Sequence, residues 1–298
     1  MKYQKTYFQC LKCGNIYKIK DGIVQITPGL SPDIKLSIQK WDEFYKKQLK
    51  NKGYLKYYQE YMDVYFDTIY KQIDAAKKIK DIVYLEIGCG PAYFLSEIAK
   101  KCKLVIGVDF CPSGLKIAKM MLDKKGVKNY LLIQANILSL PIKNNSINLI
   151  FGGGVIEHFQ DTQTCVNELY RVTKKGGVSL NTVPHLNLGT LTYRQIWGNI
   201  PNVPILKQLA ELIHIKILGG KHMIFGYEMS FLGSTLKKIH QKAGFIKVEI
   251  NHYELPLSFD YLPRIIRRPF IWLAQNSPLF WPMIKVIAKK YDLKPQVA

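Results

Sequence analysis

The sequence predicts an α/β fold built on a doubly wound, mostly parallel β-sheet with helical cap insertions. From residue 81 to residue 183, short apolar runs alternate with helical patterns, as expected when crossover helices connect parallel strands. The first strand carries Glu86 and leads into a tight turn that contains Gly88 and Gly90. The second strand ends at Asp109, at the spacing of about 20 residues expected for an acid that binds a ribose diol. Together these features predict a nucleotide-type cofactor at the carboxyl edge of the sheet.

The turn after the first strand distinguishes between classes of cofactor. A dinucleotide-binding loop carries a third glycine three residues after the second, but this sequence has Tyr93 there. The Glu86 carboxylate would repel a pyrophosphate and attract an ammonium group, such as that of S-adenosylmethionine. Ala92 keeps the loop small, and the Phe110 ring can cover one face of an adenine. The loop therefore predicts a methyl donor rather than a hydride carrier; the alternative is two ordinary buried strand-to-helix turns.

With these features the chain resembles the class I S-adenosylmethionine-dependent methyltransferases, and within them the group of small-molecule and quinone-precursor methyltransferases. The matching segments are residues 131–137, 140–150, 157–158, 168–172, 174–177 and 243–245. The resemblance covers most of residues 81–185 and 222–252. It implies a seven-stranded, Rossmann-like methyltransferase fold and S-adenosylmethionine as the cofactor.

The donor-binding residues follow from the first loop and from the resemblance. The predicted set is Glu86, Gly88, Cys89, Gly90, Ala92, Asp109, Phe110, Asn136, Ile137 and Gly153. Asn136 departs from the family, which often carries Asp there, but its carbonyl can still accept a hydrogen bond from an adenine amino group. Asn148 is a second departure, since Asp is common just before strand four.

Candidate catalytic residues are histidines near the predicted methyl position. Methyl transfer from a sulfonium is an in-line displacement, so the enzyme mainly aligns the reactants and excludes water. An oxygen nucleophile also gains from a base, and His158 is the first candidate because it follows strand four and imidazole titrates near neutral pH. In resembling proteins the Glu-His pair is often structural, which is the alternative. His185, and His222 with Tyr227, are further candidates.

The N-terminal part precedes the first core strand. Residues 1–30 are predicted to form a short hairpin that resembles a vestigial zinc ribbon. Cys10 and Cys13 make half of a zinc site, but zinc takes four ligands, so we expect no metal unless a dimer or a distant histidine completes the set. Residues 31–80 are predicted to be largely helical, beginning at about residue 38.

Aromatic residues of this helical region are candidates to line the donor site. They are Trp41, Tyr45, Tyr57, Tyr58 and Tyr61. The alternative is a helix face that packs on the edge of the sheet.

The methyltransferase domain is predicted over residues 81–289, followed by a tail at residues 290–298. Two insertions interrupt its alternation of strands and helices: residues 187–226 after strand five, with an apolar helix around residues 205–218, and residues 254–282 after strand six. Since ligands bind beyond the carboxyl ends of parallel strands, these insertions are predicted to cap the substrate. A closing antiparallel strand is expected at residues 283–288.

The charge of +21, from 43 basic and 22 acidic residues, attracts anions, although abundant Lys, Ile and Asn also indicate a composition bias. Nucleic acid is not the predicted substrate, because residues 152–155 read Gly-Gly-Gly-Val where exocyclic-amine methyltransferases carry a base clamp. Residues 263–273 mix three arginines with large apolar groups and are too polar to span a bilayer. They predict a peripheral membrane contact, or else ordinary packing of the cap.

The sequence predicts a cytoplasmic enzyme, peripheral to the inner face of the membrane if the contact exists. No secretory signal is visible, and the six cysteines show no framework of paired spacings, so core cysteines are expected to be small buried residues. The predicted function is S-adenosylmethionine-dependent methyl transfer to a small or lipid-linked metabolite, most favourably on oxygen. The alternatives are an RNA methyltransferase and a cofactor-binding regulatory protein without catalysis.

Overall fold

The computed structural model describes residues 2–4, 7–9, 14–26, 32–51, 81–224, 226–253 and 263–291, with isolated positions between 53 and 63. The chain divides into two compact units. The first comprises Met1–Gly152 and Arg171–Val178, and the second comprises Gly153–Tyr170 and Ser179–Ala298.

The first unit contains most of the parallel sheet. Its strands are β1 (Lys2–Gln4), β2 (Tyr7–Gln9), β3 (Ile16–Lys20), β4 (Ile23–Ile26), β5 (Val83–Ile87), β6 (Leu104–Asp109), β7 (Tyr130–Ala135), β8 (Ile147–Gly153) and the start of β9 (Thr173–Pro184). Its helices are α1 (Pro32–Leu49), α2 (Tyr93–Ile98) and α3 (Pro112–Lys124). β5 pairs in parallel with both β6 and β8, and β6 pairs in parallel with β7. This arrangement confirms the predicted doubly wound, mostly parallel sheet.

The apolar runs form parallel strands because their side chains are buried on both faces of the sheet. Leu85, Ile106 and Ile133 are all buried. Gly107 lets the first loop approach β6, since a Cβ added there would lie 2.9 Å from the Cys89 Sγ. Cys89, Cys102, Cys111 and Cys165 are free thiols buried in the core, as the sequence predicted.

The N-terminal segment forms four strands rather than the single hairpin predicted for residues 1–30. β1, β2, β3 and β4 pair antiparallel in order, and β4 then pairs in parallel with β7, with Val24 opposite Ile133. Ile23 and Val24 are buried by this pairing, which covers an otherwise open edge of the sheet. The sheet therefore has more strands than the seven expected. Cys10 and Cys13 lie outside the described residues.

Helix α1 begins at Pro32, earlier than predicted, because proline is well suited to the first turn of a helix. Its Asp42 Oδ1 accepts a hydrogen bond from the Ser113 backbone N–H at 3.0 Å, in the first turn of α3. Three of the aromatic candidates, Tyr57, Tyr58 and Tyr61, lie outside the described residues.

The second unit carries the end of β9, the closing strands and the two insertions. Its remaining elements are α4 (Thr162–Val172), α5 (Leu188–Thr192), β10 (Ile200–Pro201), α6 (Pro204–Glu211), β11 (Met229–Ser230), α7 (Gly233–Ala243), β12 (Lys247–Tyr253), α8 (Arg264–Asn276) and β13 (Met283–Lys289). α6 continues into a π-helical segment, Leu212–Ile217. β12 and β13 are antiparallel from the Lys247–Lys289 pair to the Tyr253–Met283 pair. The predicted closing antiparallel strand is therefore present.

The insertion after β9 begins with α5, and its short strand β10 pairs in parallel with β11. Asn187 caps α5, since its Oδ1 accepts a hydrogen bond from the Thr190 N–H at 3.0 Å.

Across the part of the chain that the structure describes, no helix is both long and apolar enough to cross a membrane.

Candidate functional site

The loop after β5 and the acid after β6 meet in the first unit. The Asp109 Oδ2 accepts a hydrogen bond from the Gly90 N–H at 2.8 Å, and its Oδ1 accepts from the Cys111 N–H at 2.8 Å. Gly88 and Gly90 have positive φ angles of 57° and 45°, a conformation that glycine adopts without strain. The Asp109 carboxylate thus ties the two predicted donor-binding loops together.

Ala92 adopts the same left-handed region, with φ 58° and ψ 40°. A residue with a Cβ is disfavoured there by roughly 1–2 kcal/mol. This strain indicates that the loop conformation is imposed by its surroundings, which include the Ala92 N–H hydrogen bond to the Cys89 carbonyl at 2.7 Å.

Glu86 lies under the same loop. Its side chain is buried, and its Oε2 accepts a hydrogen bond from the Leu95 N–H at 3.0 Å in the first turn of α2. Burial raises the pKa of Glu86 well above its usual range, and the nearby charge of Asp109 raises it further. Burial also raises the pKa of Asp109. Two desolvated carboxyl groups favour a ligand that brings a positive charge and hydrogen-bond donors.

The third predicted donor-binding region follows β7. The Asn136 Oδ1 accepts a hydrogen bond from the Leu138 N–H at 2.8 Å and so caps a short 3-10 turn, Ile137–Ser139. A carbonyl oxygen has a second lone pair, which leaves capacity for an adenine amino group. Gln134 is a further residue of this region that was not predicted: its Nε2 donates to the Phe110 carbonyl at 3.1 Å and holds the residue after Asp109. Gln134 lies on β7, two residues before Asn136. This spacing could have indicated it as a site residue, since alternate residues share one face of a strand.

Tyr45 of α1 lies directly over the glycine loop. A Cβ added at Gly90 would lie 2.5 Å from the Tyr45 hydroxyl, and one added at Gly114 would lie 3.1 Å from its ring. Trp41 stacks on Tyr45 at a centroid distance of 5.8 Å. Of the aromatic candidates in α1, Tyr45 therefore contacts the predicted donor loop.

The first catalytic candidate, His158, lies in the second unit on a 3-10 turn that follows β8. Its Nδ1 is 2.6 Å from the Tyr227 carbonyl oxygen, which can only accept, so this nitrogen carries the hydrogen and the basic lone pair is at Nε2. Burial lowers the pKa of His158, although Glu228 and hydrogen bonding to the Tyr227 and Gly154 carbonyls raise it. The imidazole is therefore neutral near pH 7. Gly153, the predicted donor-binding residue at the end of β8, is exposed.

A buried polar cluster that no sequence motif marks lies close to His158 in the second unit. The Arg194 Nη1 contacts the Glu228 Oε1 at 2.6 Å, and the two side chains are only 13% and 8% exposed. Burial raises the pKa of Glu157 well above its usual range; Glu228 raises it and Arg194 lowers it. Among the described residues, the Glu157 Oε2, the Arg194 Nε and both polar side-chain atoms of Asn199 are buried without a hydrogen-bond partner. Such atoms suit a polar ligand group.

The other catalytic candidates lie in separate environments. The Asn187 Nδ2 donates to the His185 Nδ1 at 3.1 Å. The His222 Nε2 lies 2.9 Å from the His214 Nδ1. The Tyr227 hydroxyl donates to the Glu211 Oε1 at 2.7 Å. The structure therefore brings His158 together with the Tyr227 backbone and places His185 and His222 in clusters of their own.

No group of three or more His, Cys, Asp or Glu side chains within the described ranges could hold a metal ion.

Comparisons with known proteins identify the family of the chain. Residues 85–180 match a family model described as a methyltransferase domain. A demethylmenaquinone methyltransferase from Geobacillus kaustophilus is 31% identical over 193 residues, 60% of this chain and 76% of the relative. The enzyme of the same name from Lactococcus lactis is 29% identical over 182 residues, 55% of this chain and 66% of the relative.

A third relative, the malonyl-[acyl-carrier protein] O-methyltransferase of Hamiltonella defensa, is 32% identical over 139 residues, 46% of this chain and 51% of the relative. Thus the chain spans between about half and three quarters of these relatives. Among solved structures, a chain of the Haloferax volcanii complex between the Trm112 methyltransferase activator and a methyltransferase is 11% identical. It aligns over 85% of this chain and 98% of its own length with a TM-score of 0.57, a likeness of fold.

Proposed function

Since this chain belongs to the class I S-adenosylmethionine-dependent methyltransferases, we propose that it transfers the methyl group of S-adenosylmethionine to a small or lipid-linked metabolite. The observation that carries the proposal is the Asp109 carboxylate, which bridges the Gly90 and Cys111 N–H groups beside the buried Glu86. This arrangement fits the donor, because the glycine loop admits close backbone approach and the carboxyl groups suit an ammonium and a ribose diol.

In this proposal the residues of the chain mainly bind the methyl donor and orient it. S-adenosylmethionine supplies an electrophilic methyl group on a sulfonium, and little further chemistry is required of the protein. Asp109 and Asn136 hold the adenosine half, Glu86 attracts the ammonium end, and Tyr45 of α1 excludes water from the loop.

The proposed acceptor is small or lipid-linked, and its reacting atom is oxygen. The relatives act on demethylmenaquinone, to judge from their names, and one is an O-methyltransferase of a carrier-linked malonyl group. The buried cluster of Glu157, Arg194 and Asn199 supports an acceptor with a polar group, because its orphaned atoms would gain hydrogen bonds on binding. Nucleic acid is not proposed; radiolabel passing from the donor into an RNA species would contradict this part of the proposal.

Donor binding is tested by titration calorimetry with S-adenosylhomocysteine, S-adenosylmethionine and NAD. We expect binding of the first two and none of NAD, because Glu86 disfavours a pyrophosphate and Tyr93 occupies the third glycine position. Glu86→Gln should weaken the donor by about 1–3 kcal/mol if the carboxylate meets the ammonium. Met120→Gln, an exposed change on α3, is the matched control and should leave affinity unchanged. NAD binding without donor binding would refute the proposal.

His158 is proposed as the general base for an oxygen nucleophile. His158→Gln should lower kcat by about 10²–10⁴-fold, because the base is lost while an amide N–H can still donate to the Tyr227 carbonyl. Since burial lowers the pKa of His158, the base is neutral above that pKa, and kcat should fall only as the pH drops below the usual histidine range. Met120→Gln, exposed on α3, is the control and should leave kcat unchanged. A variant with unchanged kcat and a shifted thermal midpoint would assign His158 a structural role.

We place a peripheral membrane contact on α8. Ile265 is 91% exposed and Trp272 is 62% exposed on this helix, and Arg268 is exposed beside them. Exposed apolar groups next to arginine suit an anionic interface, where a lipid-linked acceptor would be presented. Flotation of Arg267→Glu/Arg268→Glu with anionic vesicles tests this contact.

A further inference from the structure

The helix of the first insertion exposes its apolar residues to solvent. These residues, which we call the apolar stripe, lie on α6 and the π-helical segment: Ile205, Leu206, Leu209, Leu212, Ile213 and Ile217. Ile205 is 80% exposed, Leu209 is 52% exposed and Ile217 is 67% exposed. A helix of a globular protein normally buries such a face against the core. Here the apolar side of the helix faces solvent.

The spacing of the stripe places it on one side of the helix. Ile205, Leu209 and Ile213 follow one another at intervals of four residues, which lie above one another on a helix surface. The i→i−5 hydrogen bond from the Leu218 N–H to the Ile213 carbonyl, at 2.9 Å, marks the π turn. Ile217 is the last residue of the π-helical segment, and it is exposed like the apolar residues of the stripe that precede it.

Buried contacts on the other side of the helix fix this orientation. Ala210 and His214 are the buried residues of the segment. His214 contacts the His222 Nε2 at 2.9 Å through its Nδ1 and the Gln195 Oε1 at 3.0 Å through its Nε2. Glu211, the acid of the segment, accepts a hydrogen bond from the Tyr227 hydroxyl at 2.7 Å. Rotating the helix to bury the stripe would break all of these contacts, so its exposure is a property of the fold.

The charges around the stripe indicate what covers it. Lys207 lies on α6, Lys216 on the π-helical segment and Lys221 just beyond it, and the last two are exposed. The whole chain carries a net charge of +21. Two copies facing each other through this surface would bring like charges together, whereas an anionic lipid surface is complementary to it. An exposed apolar face bordered by lysines is the pattern of a helix that lies in a membrane interface.

We infer that the apolar stripe inserts into the interfacial layer of an anionic membrane and docks the insertion there. This inference deepens the proposed function, since it brings the second unit to the layer where a lipid-linked acceptor resides. The lysines contact the headgroups, and the stripe contributes the apolar burial that makes the contact persist at moderate salt.

Vesicle flotation tests the inference without donor or acceptor, so its result is independent of whether methyl transfer is established. The wild-type protein should co-float with vesicles of phosphatidylglycerol and phosphatidylcholine and remain unbound with phosphatidylcholine alone. Ile205→Gln/Leu209→Gln should reduce the floating fraction at least about tenfold. Both side chains are exposed, so their replacement removes apolar contacts with the membrane and leaves the packing of the protein unchanged. Met120→Gln, 53% exposed on α3, is the matched control and should float like the wild type.

The alternatives give distinct results. Circular dichroism and thermal unfolding verify that each variant is folded. A wild-type protein that never floats, or a double variant that floats equally well, overturns the inference. A dimer in light scattering that Ile205→Gln/Leu209→Gln converts to monomer, without vesicle binding, overturns it in favour of a second copy. Flotation that depends on Arg267 and Arg268 alone assigns the contact to α8 and overturns the role of the stripe.

Discussion

Replacing Arg194 by methionine is expected to lower the free energy of unfolding by about 3–5 kcal/mol, because it leaves the buried Glu228 without its partner. The Arg194 Nη1 and the Glu228 Oε1 are 2.6 Å apart in side chains that are only 13% and 8% exposed. Glu157 is buried close enough for the charge of Glu228 to raise its pKa and for Arg194 to lower it, so the loss of Arg194 removes a positive charge from beside both acids. Urea unfolding followed by circular dichroism measures the change.

Two further variants show that the effect belongs to a buried pair. Arg194→Met/Glu228→Met should recover much of the lost stability, since two packed apolar side chains can replace a buried ion pair. Lys119→Met removes an ion pair with Asp123 on the surface of α3 and should cost less than about 1 kcal/mol. A loss of less than about 1 kcal/mol for Arg194→Met would show that the pair is hydrated in solution.

Asp109→Ala is expected to weaken donor binding by about 1–3 kcal/mol, a factor of roughly 5–150 in Kd, through loss of charge-assisted hydrogen bonds to the ribose. The carboxylate also accepts from the Gly90 and Cys111 N–H groups, both at 2.8 Å, so its removal loosens the glycine loop as well. Calorimetric titration with S-adenosylhomocysteine measures the effect.

Asp109→Asn separates charge from position, because the amide keeps one acceptor oxygen at the same place. Its affinity should lie between those of the wild type and the alanine variant. Equal affinity for all three proteins would remove Asp109 from the donor site. A lower thermal midpoint with unchanged affinity would leave it only the role of holding the loop.

Local pattern was enough to predict the main part of the fold. Strand runs such as β5 and β6 are mainly apolar and alternate with helices, which identifies parallel strands buried on both faces. The glycine turn and Asp109 were recognisable because loop chemistry and the distance to the next strand end are properties of the chain itself. The closing antiparallel strand β13 was predicted in the same way.

Long-range pairing was not predictable from the same patterns. The N-terminal strands were expected to form one hairpin, but β4 pairs with β7, more than a hundred residues later in the chain. Arg194 and Glu228 are 34 residues apart, and no motif marks them as partners. Gln134 holds the residue after Asp109 from another strand, so only its contact identifies it. Tyr45 was one of five aromatic candidates, and its position over Gly90 distinguishes it from the others.

The sequence by itself determined the alternation of strands and helices from residue 81 to residue 183, the loop that suits the methyl donor and the presence of an apolar helix around residues 205–218. The spacing of the apolar residues of that helix places them on one side. Only the tertiary structure decided that this side faces solvent, because His214 and Glu211 hold the opposite side inward through His222, Gln195 and Tyr227. The physical reason is that periodicity records which residues share a face, whereas burial of that face depends on partners distant in the chain.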